Sequence, residues 1–328
     1  MPSLALLVDL FISTRATHSP PSTPPYCYLE NLRAGSVGSA VAYSLLLRQV
    51  VADIVLIDIN HDLCRAQVQD LSDATFLSNV RIRQGTLEDA QKADIIIITA
   101  GAKQKPGDTR LALVDRNFKV LKSILQSLQP IRSDAILLIV ANPVDILTLF
   151  AQRLSGLPKG QVLGSGTLLD SIRLTRILAS KLKVADTSIH AFVIGEHGDS
   201  QSVAWSTATV HGTPLLKVLP LTEAERDEIA TTTKKKAEAI IKVKGFTSYG
   251  VAAVTARICE AIIFDHRQVL PLSHWQKEWD CCLSLPAVLG RDGIISSFPL
   301  SLNESEQAFL SSSAQSLKKV IAEYAEEL

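Results

Sequence analysis

The sequence carries no net charge: 33 lysines and arginines stand against 33 aspartates and glutamates in 328 residues. A chain without a positive field has nothing to draw in a phosphate backbone or an anionic lipid surface, so neither nucleic acid nor a membrane is expected as a partner. Organised cysteine motifs are also missing. Cys27, Cys64, Cys259, Cys281 and Cys282 are odd in number, show no CxxC spacing and have no accompanying histidine pattern. That removes the common zinc arrangements, leaves no metal site to expect, and reads as reduced thiols in a cytoplasmic protein. No apolar run is long enough to span a bilayer. The stretch Leu4 to Ile12 contains Asp9 and has no basic residue before it, unlike a secretory leader. No internal repeat is visible.

What is present is a chain 47% hydrophobic, long enough for a sizeable core and about two domains. Residues 1–27 pass from a short apolar run into the Ser/Thr/Pro-rich stretch Thr17 to Pro25, and a disordered tail is expected there. From Val37 the apolar residues Val41, Leu45, Leu46 and Val50 follow a helical period, and Asp53 to Asp58 (DIVLID) reads as a buried strand. The alternation continues with a helix from about Asp62, a strand Ile95 to Thr99, a helix around Asn117 to Leu128 and a strand Ala135 to Val140. Strands that are apolar throughout, separated by amphipathic helices, imply an α/β fold with a doubly wound parallel sheet of Rossmann type. Its ligand crevice lies at the carboxyl ends of the strands. After about Gly164 the pattern becomes mixed α+β. There Thr222-x-x-Glu225 and Asn303-x-x-Glu306 look like capping boxes, the second opening a terminal helix through Leu317, Ile321 and Tyr324. The expected division is therefore a tail at 1–27, a sheet domain at 28–164 and a second domain at 165–328.

Several short motifs carry chemistry. Ala34-Gly35-Ser36-Val37-Gly38 runs into a helix, and Asp58 ends the next strand. This matches the later part of a dinucleotide fingerprint, with glycines for close pyrophosphate approach and an acid for the adenosine ribose that favours NAD over NADP. Glycine at a tight strand-to-helix turn of any α/β protein is the plainer alternative. Asn142-Pro143-Val144-Asp145 follows a buried strand and reads equally as a turn or as a crevice segment. Asp170 and Arg173 stand three apart on one helical face, which by itself describes a surface ion pair. His197, between Gly195 and Gly198 just after the strand Ala191 to Ile194, is poorly placed for a core but well placed to project into a cleft, and imidazole suits proton transfer near neutrality. Gly101 to Arg110 has the form of a lid, or of a plain polar loop.

In combination and order, over Ala34 to Leu328, these motifs resemble the lactate and malate dehydrogenase family. The stretches LLDSIR, IGEHGDS, GFTSYGVA and LSLPAVLGRDG resemble its L-lactate branch. The resemblance implies that His197 exchanges a proton with the keto or hydroxyl oxygen of pyruvate or L-lactate while NAD carries the hydride. Asp170 would orient the imidazole, Arg173 would grip the substrate carboxylate and Arg110 would polarise the carbonyl. It assigns Gln104, Asn142 and Thr247 to the substrate, and Gly35, Val37, Gly38, Asp58, Gly101, Ala102, Asn142 and Ser165 to the cofactor. A neutral Gln104 suits the methyl of pyruvate, whereas relatives selective for oxaloacetate carry arginine there. A homodimer or homotetramer is implied as well.

The sequence departs from the family at the first strand, where Tyr28 to Arg33 places Glu30 and Asn31 in what should be a central strand and Arg33 at the first glycine. It departs again in HWQKEWDC, shorter than the usual hairpin. His190 matches a histidine that binds fructose 1,6-bisphosphate in some bacterial relatives, but Thr175 replaces the partnering arginine, so that activation is expected to be weak or absent. Two alternatives follow: a catalytically impaired relative with an assembly role, and a dehydrogenase of malate or another 2-hydroxy acid.

Overall fold

The structure, a computed structural model, describes residues 9–12, 27–31, 35–102 and 110–327, with the backbone alone for 9–12, 27–31, Leu77 and Arg110. The first half is built from β1 (Asp9–Ile12), β2 (Cys27–Asn31), α1 (Gly38–Arg48), β3 (Asp53–Asp58), α2 (His61–Asp73), β4 (Arg81–Gln84), α3 (Leu87–Ala90), β5 (Ile95–Ile98), α4 (Arg110–Ser127), β6 (Ile136–Ile139), α5 (Val144–Ser155) and β7 (Val162–Gly164). Every residue of β3, β5 and β6 is buried. That is why these strands read as unbroken apolar runs: helices cover both faces of the sheet. The helical period seen from Val37 corresponds to α1, which buries Val41, Ala42, Leu45 and Leu46.

The parallel ladder falls into two blocks. β2 pairs with β3 and β3 with β4, while β5 pairs with β6 and β6 with β7, all parallel. Of the tail expected at 1–27, residues 9–12 are strand rather than disordered, while residues 1–8 and 13–26, with Thr17 to Pro25 among them, lie outside the described residues. The tail's apolar run contributes β1, which pairs antiparallel with β2 and lies beside β5 between the two blocks. Phe and Ile in that run favour an extended chain, and pairing satisfies backbone groups that a sheet edge would leave open. The stretch aligned as the first strand does form one: Tyr28 to Asn31 run parallel to Val55 to Asp58, with Asn31 opposite Asp58. Arg33 lies outside the described residues.

The second half comprises α6 (Leu168–Leu182), the short strands β8 (Ile189–His190), β9 (Val193–Ile194), β10 (Ser202–Val203), β11 (Thr209–Val210) and β12 (Thr213–Pro214), then α7 (Leu215–Val218), α8 (Glu223–Lys244), α9 (Tyr249–Ile263), β13 (Gln268–Gln276), β14 (Cys281–Gly290), β15 (Gly293–Ser297) and α10 (Glu304–Ala322). The strand expected at Ala191 to Ile194 is thus shorter, with Ala191 and Phe192 between two two-residue strands. Both capping boxes form, at Thr222 with Glu225 and at Asn303 with Glu306. β13, β14 and β15 extend the β5–β6–β7 block antiparallel through Ser273 opposite Gly164. The short hairpin is braced near its tip: Trp275 Nε1 donates to Asp280 at 3.2 Å, and Lys159 Nζ lies 3.1 Å from the Trp275 ring centre. Phe118 meets Phe150 and Tyr324 edge-on, and Phe150 and Tyr324 meet at a tilt, with centroids 4.8 to 5.2 Å apart, so Tyr324 is packed onto α4 and α5. Among the described residues no helix is long and apolar enough to cross a membrane.

Candidate active site

The site begins where β7 hands the chain to α6. Gly166 turns with φ +52° and lies so close to β13 that a Cβ would stand 2.5 Å from Ser273 N, a place where only glycine fits. Thr167 then ties the helix start in two directions. Its N–H donates to Ser284 Oγ at 3.2 Å, and its hydroxyl donates to the Val193 carbonyl at 2.5 Å. One turn on, Ser171 Oγ accepts from Val193 N–H at 2.9 Å. The first turn of α6 is therefore stitched to β9, the strand that delivers the histidine loop.

The i,i+3 pair is not the surface pair its spacing suggests. Arg173 Nη1 donates to Asp170 Oδ1 at 3.1 Å with both side chains buried, and Asp170 Oδ2 lies 2.7 Å from His197 Nδ1. The histidine side chain stays 27% exposed, so the acid is desolvated while the ring reaches the cleft. A carboxylate at Nδ1 fixes the proton there and leaves Nε2 for exchange. Burial pushes the His197 pKa down. The charge and hydrogen bond of Asp170 and the charge of Asp145 outweigh that, against a contrary push from Arg173, so the net shift is upward. A raised proton affinity favours the imidazolium, the form that can donate a proton.

The histidine loop is held by its backbone. Gly195 exchanges two hydrogen bonds with Ser284, at 2.9 and 2.8 Å. Glu196 N–H donates to Ser313 Oγ at 2.8 Å and His197 N–H to Asp145 Oδ2 at 2.7 Å. Asp145, Asn117, Thr167, Ser284 and Ser313 were not singled out from the sequence as site residues. All are buried polar groups. A polar residue on the core face of an apolar period was the available signal.

On the cofactor side, β5 and β6 end beside each other. Buried Asn117 of α4 accepts from Ala102 N–H at 2.7 Å and donates to the Asn142 carbonyl at 2.6 Å, bridging the loops that follow these strands. Asn142, Gly101 and Ala102 are exposed at that edge. Gly35, Val37 and Gly38 form the entry to α1, whose first turn has no side-chain cap. Such a start leaves amide N–H groups to face an anion. At the end of β3, Asp58 is 1% exposed; its Oδ1 accepts from Asn60 N–H at 2.7 Å, and its buried Oδ2 has no partner among the described residues. Burial raises the Asp58 pKa to about 7 against hydrogen bonds from Asn60 and Ile59. An acceptor buried at this edge without a donor fits a ribose hydroxyl, so these residues suit a dinucleotide.

Ser165 follows β7 and Thr247 lies between α8 and α9, both half-buried; α9 packs on α6. Arg110 opens α4, but its side chain, like the whole of Gln104, lies outside the described residues. Thr175 spends its hydroxyl on the Ile172 carbonyl at 3.1 Å, while His190 is exposed on β8.

A parallel sheet whose strand ends gather a glycine turn and a buried acid on one side, and a histidine-acid pair on the other, is the arrangement of a dinucleotide-dependent dehydrogenase. The chain belongs to the lactate/malate dehydrogenase family: the family's NAD binding domain matches residues 33–164 and its alpha/beta C-terminal domain residues 167–328. It is 44% identical over 287 residues to L-lactate dehydrogenase A of Rhizopus oryzae, covering 88% of this chain and 90% of that protein. With L-lactate dehydrogenase 1 of Staphylococcus aureus it shares 42% over 303 residues, covering 90% and 95%. Among solved structures it resembles the ligand-bound minor L-lactate dehydrogenase of Enterococcus mundtii, with TM-score 0.85, 36% identity and coverage of 88% and 95%. A lactate dehydrogenase from a Medee basin deep-sea metagenome library gives TM-score 0.85 at 32% identity, covering 88% and 96%.

Proposed function

We propose that this protein is an NAD-dependent L-lactate dehydrogenase, interconverting pyruvate and L-lactate. The observation that carries the reading is the buried Arg173–Asp170 pair with His197 seated on it and its ring open to the cleft. Arg173 would bind the substrate carboxylate, since a guanidinium anchored by one face keeps donors for a second anion. His197 then delivers its Nε2 proton to the ketone oxygen as the carbonyl carbon is reduced, and Asp170 stabilises the imidazolium before transfer and orients the neutral ring after it. The cofactor, when bound, would supply the hydride as NADH for pyruvate reduction and accept it as NAD for lactate oxidation. Asp58 would hold its adenosine ribose, the Gly35 to Gly38 turn its pyrophosphate, and Gly101, Ala102, Asn142 and Ser165 its nicotinamide end.

Arg110 is proposed to polarise the ketone, and Gln104 and Thr247 to face the substrate methyl. The division at about residue 164, a cytoplasmic location and assembly as a dimer or tetramer belong to the same reading. The test is NADH oxidation with pyruvate and oxaloacetate side by side. Pyruvate is expected to be strongly preferred. Equal or reversed preference would assign a different 2-hydroxy acid, and loss of NADH binding itself would favour the impaired relative.

A further inference from the structure

We propose that Asp145 is a positioning residue for proton transfer, a second carboxylate on His197 that fixes the histidine's backbone and shares with Asp170 the stabilisation of its imidazolium. The inference rests on the reading of His197 as the proton donor and goes beyond the Asp170–His197 pair.

Asp145 sits in the first turn of α5 and is 2% exposed, although its chain neighbours Val144 and Ile146 are core residues. A buried acid on an apolar helix costs several kcal/mol unless its oxygens are satisfied. Here both accept. Oδ2 takes His197 N–H at 2.7 Å, and Oδ1 takes the Ser284 hydroxyl at 3.3 Å. Ser284 in turn receives Thr167 N–H at 3.2 Å, so its hydroxyl proton is directed to Asp145. Both donors point inward, the arrangement an acceptor-only carboxylate requires. The consequence is topological as well as electrostatic. One side chain joins α5, the middle of β14, the start of α6 and the histidine loop, and so sets the position of His197 relative to Asp170.

Among the described residues the charged and titratable groups around this pair are few. Asp170 and Arg173 face the imidazole from α6 and Asp145 faces it from α5. Glu196 is engaged by the Ser200 hydroxyl. Cys281 and Cys282 approach Asp145 from β14, with thiols that burial pushes far up and so keeps neutral. Burial pushes the Asp145 carboxyl up as well, opposed by the Ser273 hydroxyl of β13, by the His197 amide and imidazolium and by the Ser284 hydroxyl. Each charge therefore favours the other: the anion raises proton affinity on His197, and the imidazolium holds the anion ionised.

The test is Asp145→Asn in the full-length protein. Asparagine keeps the shape and an acceptor for His197 N–H but removes the charge. The His197 imidazole is titrated by NMR, assigned against the His197→Asn spectrum, and the pH profile of pyruvate reduction is recorded in parallel. The expected result is a His197 midpoint lowered by about half a unit to one unit, with the high-pH limb of kcat/KM moving down by the same amount. An unmoved midpoint overturns the proposal. If Asp145→Asn does not fold, Ser284→Ala withdraws one donor from the carboxylate, and a smaller shift in the same direction is expected; a folded Ser284→Ala protein with the parent midpoint overturns the proposal equally. The titration needs no turnover. A midpoint that moves while the rate profile does not would therefore support the role of Asp145 and count instead against His197 as the proton donor.

Discussion

Replacing Asp170 by asparagine isolates what the acid contributes to proton transfer. Asp170 Oδ2 stands 2.7 Å from His197 Nδ1, which places the charge centres about 4 Å apart. At an effective dielectric of about 20 such a pair is worth about 4 kcal/mol, or about three pKa units. The ring is 27% exposed and asparagine keeps an acceptor, so a fall of about one to two units is the realistic consequence. The sign follows from the surroundings. With Asp170 gone, burial and Arg173 both lower the His197 pKa, and among the described residues Asp145 raises it. Pyruvate reduction uses the protonated ring and fails above its pKa, whereas lactate oxidation uses the neutral ring and fails below it. Both limbs should therefore move to lower pH by the same amount when kcat/KM is followed from about pH 5 to 10. Stability responds as well. A His197 pKa raised by folding contributes stability that is complete below the unfolded value near 6.5 and is lost as pH rises through the folded value. Asp170→Asn removes that contribution and leaves the Arg173 guanidinium buried without its partner, at a cost of about 3–5 kcal/mol. Assays belong well below the melting temperature. A folded Asp170→Asn protein that turns over slowly, with both limbs where the parent has them, would refute the assignment of Asp170 as the group that sets the proton affinity of His197.

His197→Asn should retain NADH binding while kcat falls by about 10² to 10⁴-fold; fluorescence titration and steady-state rates separate the two, and near-normal turnover would remove His197 from the mechanism. Gln104→Arg should move preference from pyruvate toward oxaloacetate by supplying a counter-charge for the second carboxylate. The ratio of kcat/KM for the two substrates reads this directly, and an unchanged ratio would place Gln104 away from the substrate.

How far the sequence discloses this site depends on the range of the interaction. Local signals read well. The period of Val41, Leu45 and Leu46, the buried run of β3 and the two capping boxes are short-range patterns, and each appears in the fold. Asp170 and Arg173 share one helical face for a local reason too, but nothing in a three-residue spacing says whether water reaches them. Burial is decided by elements distant in the chain that pack on α6, β9, β13 and α9 among them, and only the family resemblance connected the pair to His197. The hydrogen bonds that hold the loop join residues far apart, such as Ser284 to Asp145, separated by 139 positions; no spacing reports them. β1 escaped for the opposite reason. Its four residues are too few to outweigh the Ser/Thr/Pro composition that follows, and its partner strand, rather than its own pattern, makes it extended.

The cofactor side is where the unusual first strand meets the chemistry, and Asp58 makes that meeting measurable. It ends β3 opposite Asn31 of β2, buried, with Oδ2 lacking a partner among the described residues. Burial lifts its pKa from 3.8 to about 7. An acid whose folded pKa is raised contributes stability that is complete below the unfolded value and disappears as pH climbs through the folded one. The cofactor-free protein should therefore lose up to about 4 kcal/mol between about pH 4 and 7 from this group alone. Asp58→Asn abolishes that loss, so it should melt higher than the parent at pH 8 and much nearer to it at pH 5. Taking the difference between variant and parent at each pH cancels the other titrating groups. NADH affinity should move the opposite way, falling at pH 8 because the ribose hydroxyls lose an anionic acceptor. A variant stabilised without cofactor yet weakened toward NADH is the signature of an acid kept buried for a ligand. If the melting difference is the same at both pH values, Asp58 is solvated or paired in the folded protein and the acceptor role falls; if stability behaves as expected but affinity is unchanged, the adenosine ribose is held elsewhere.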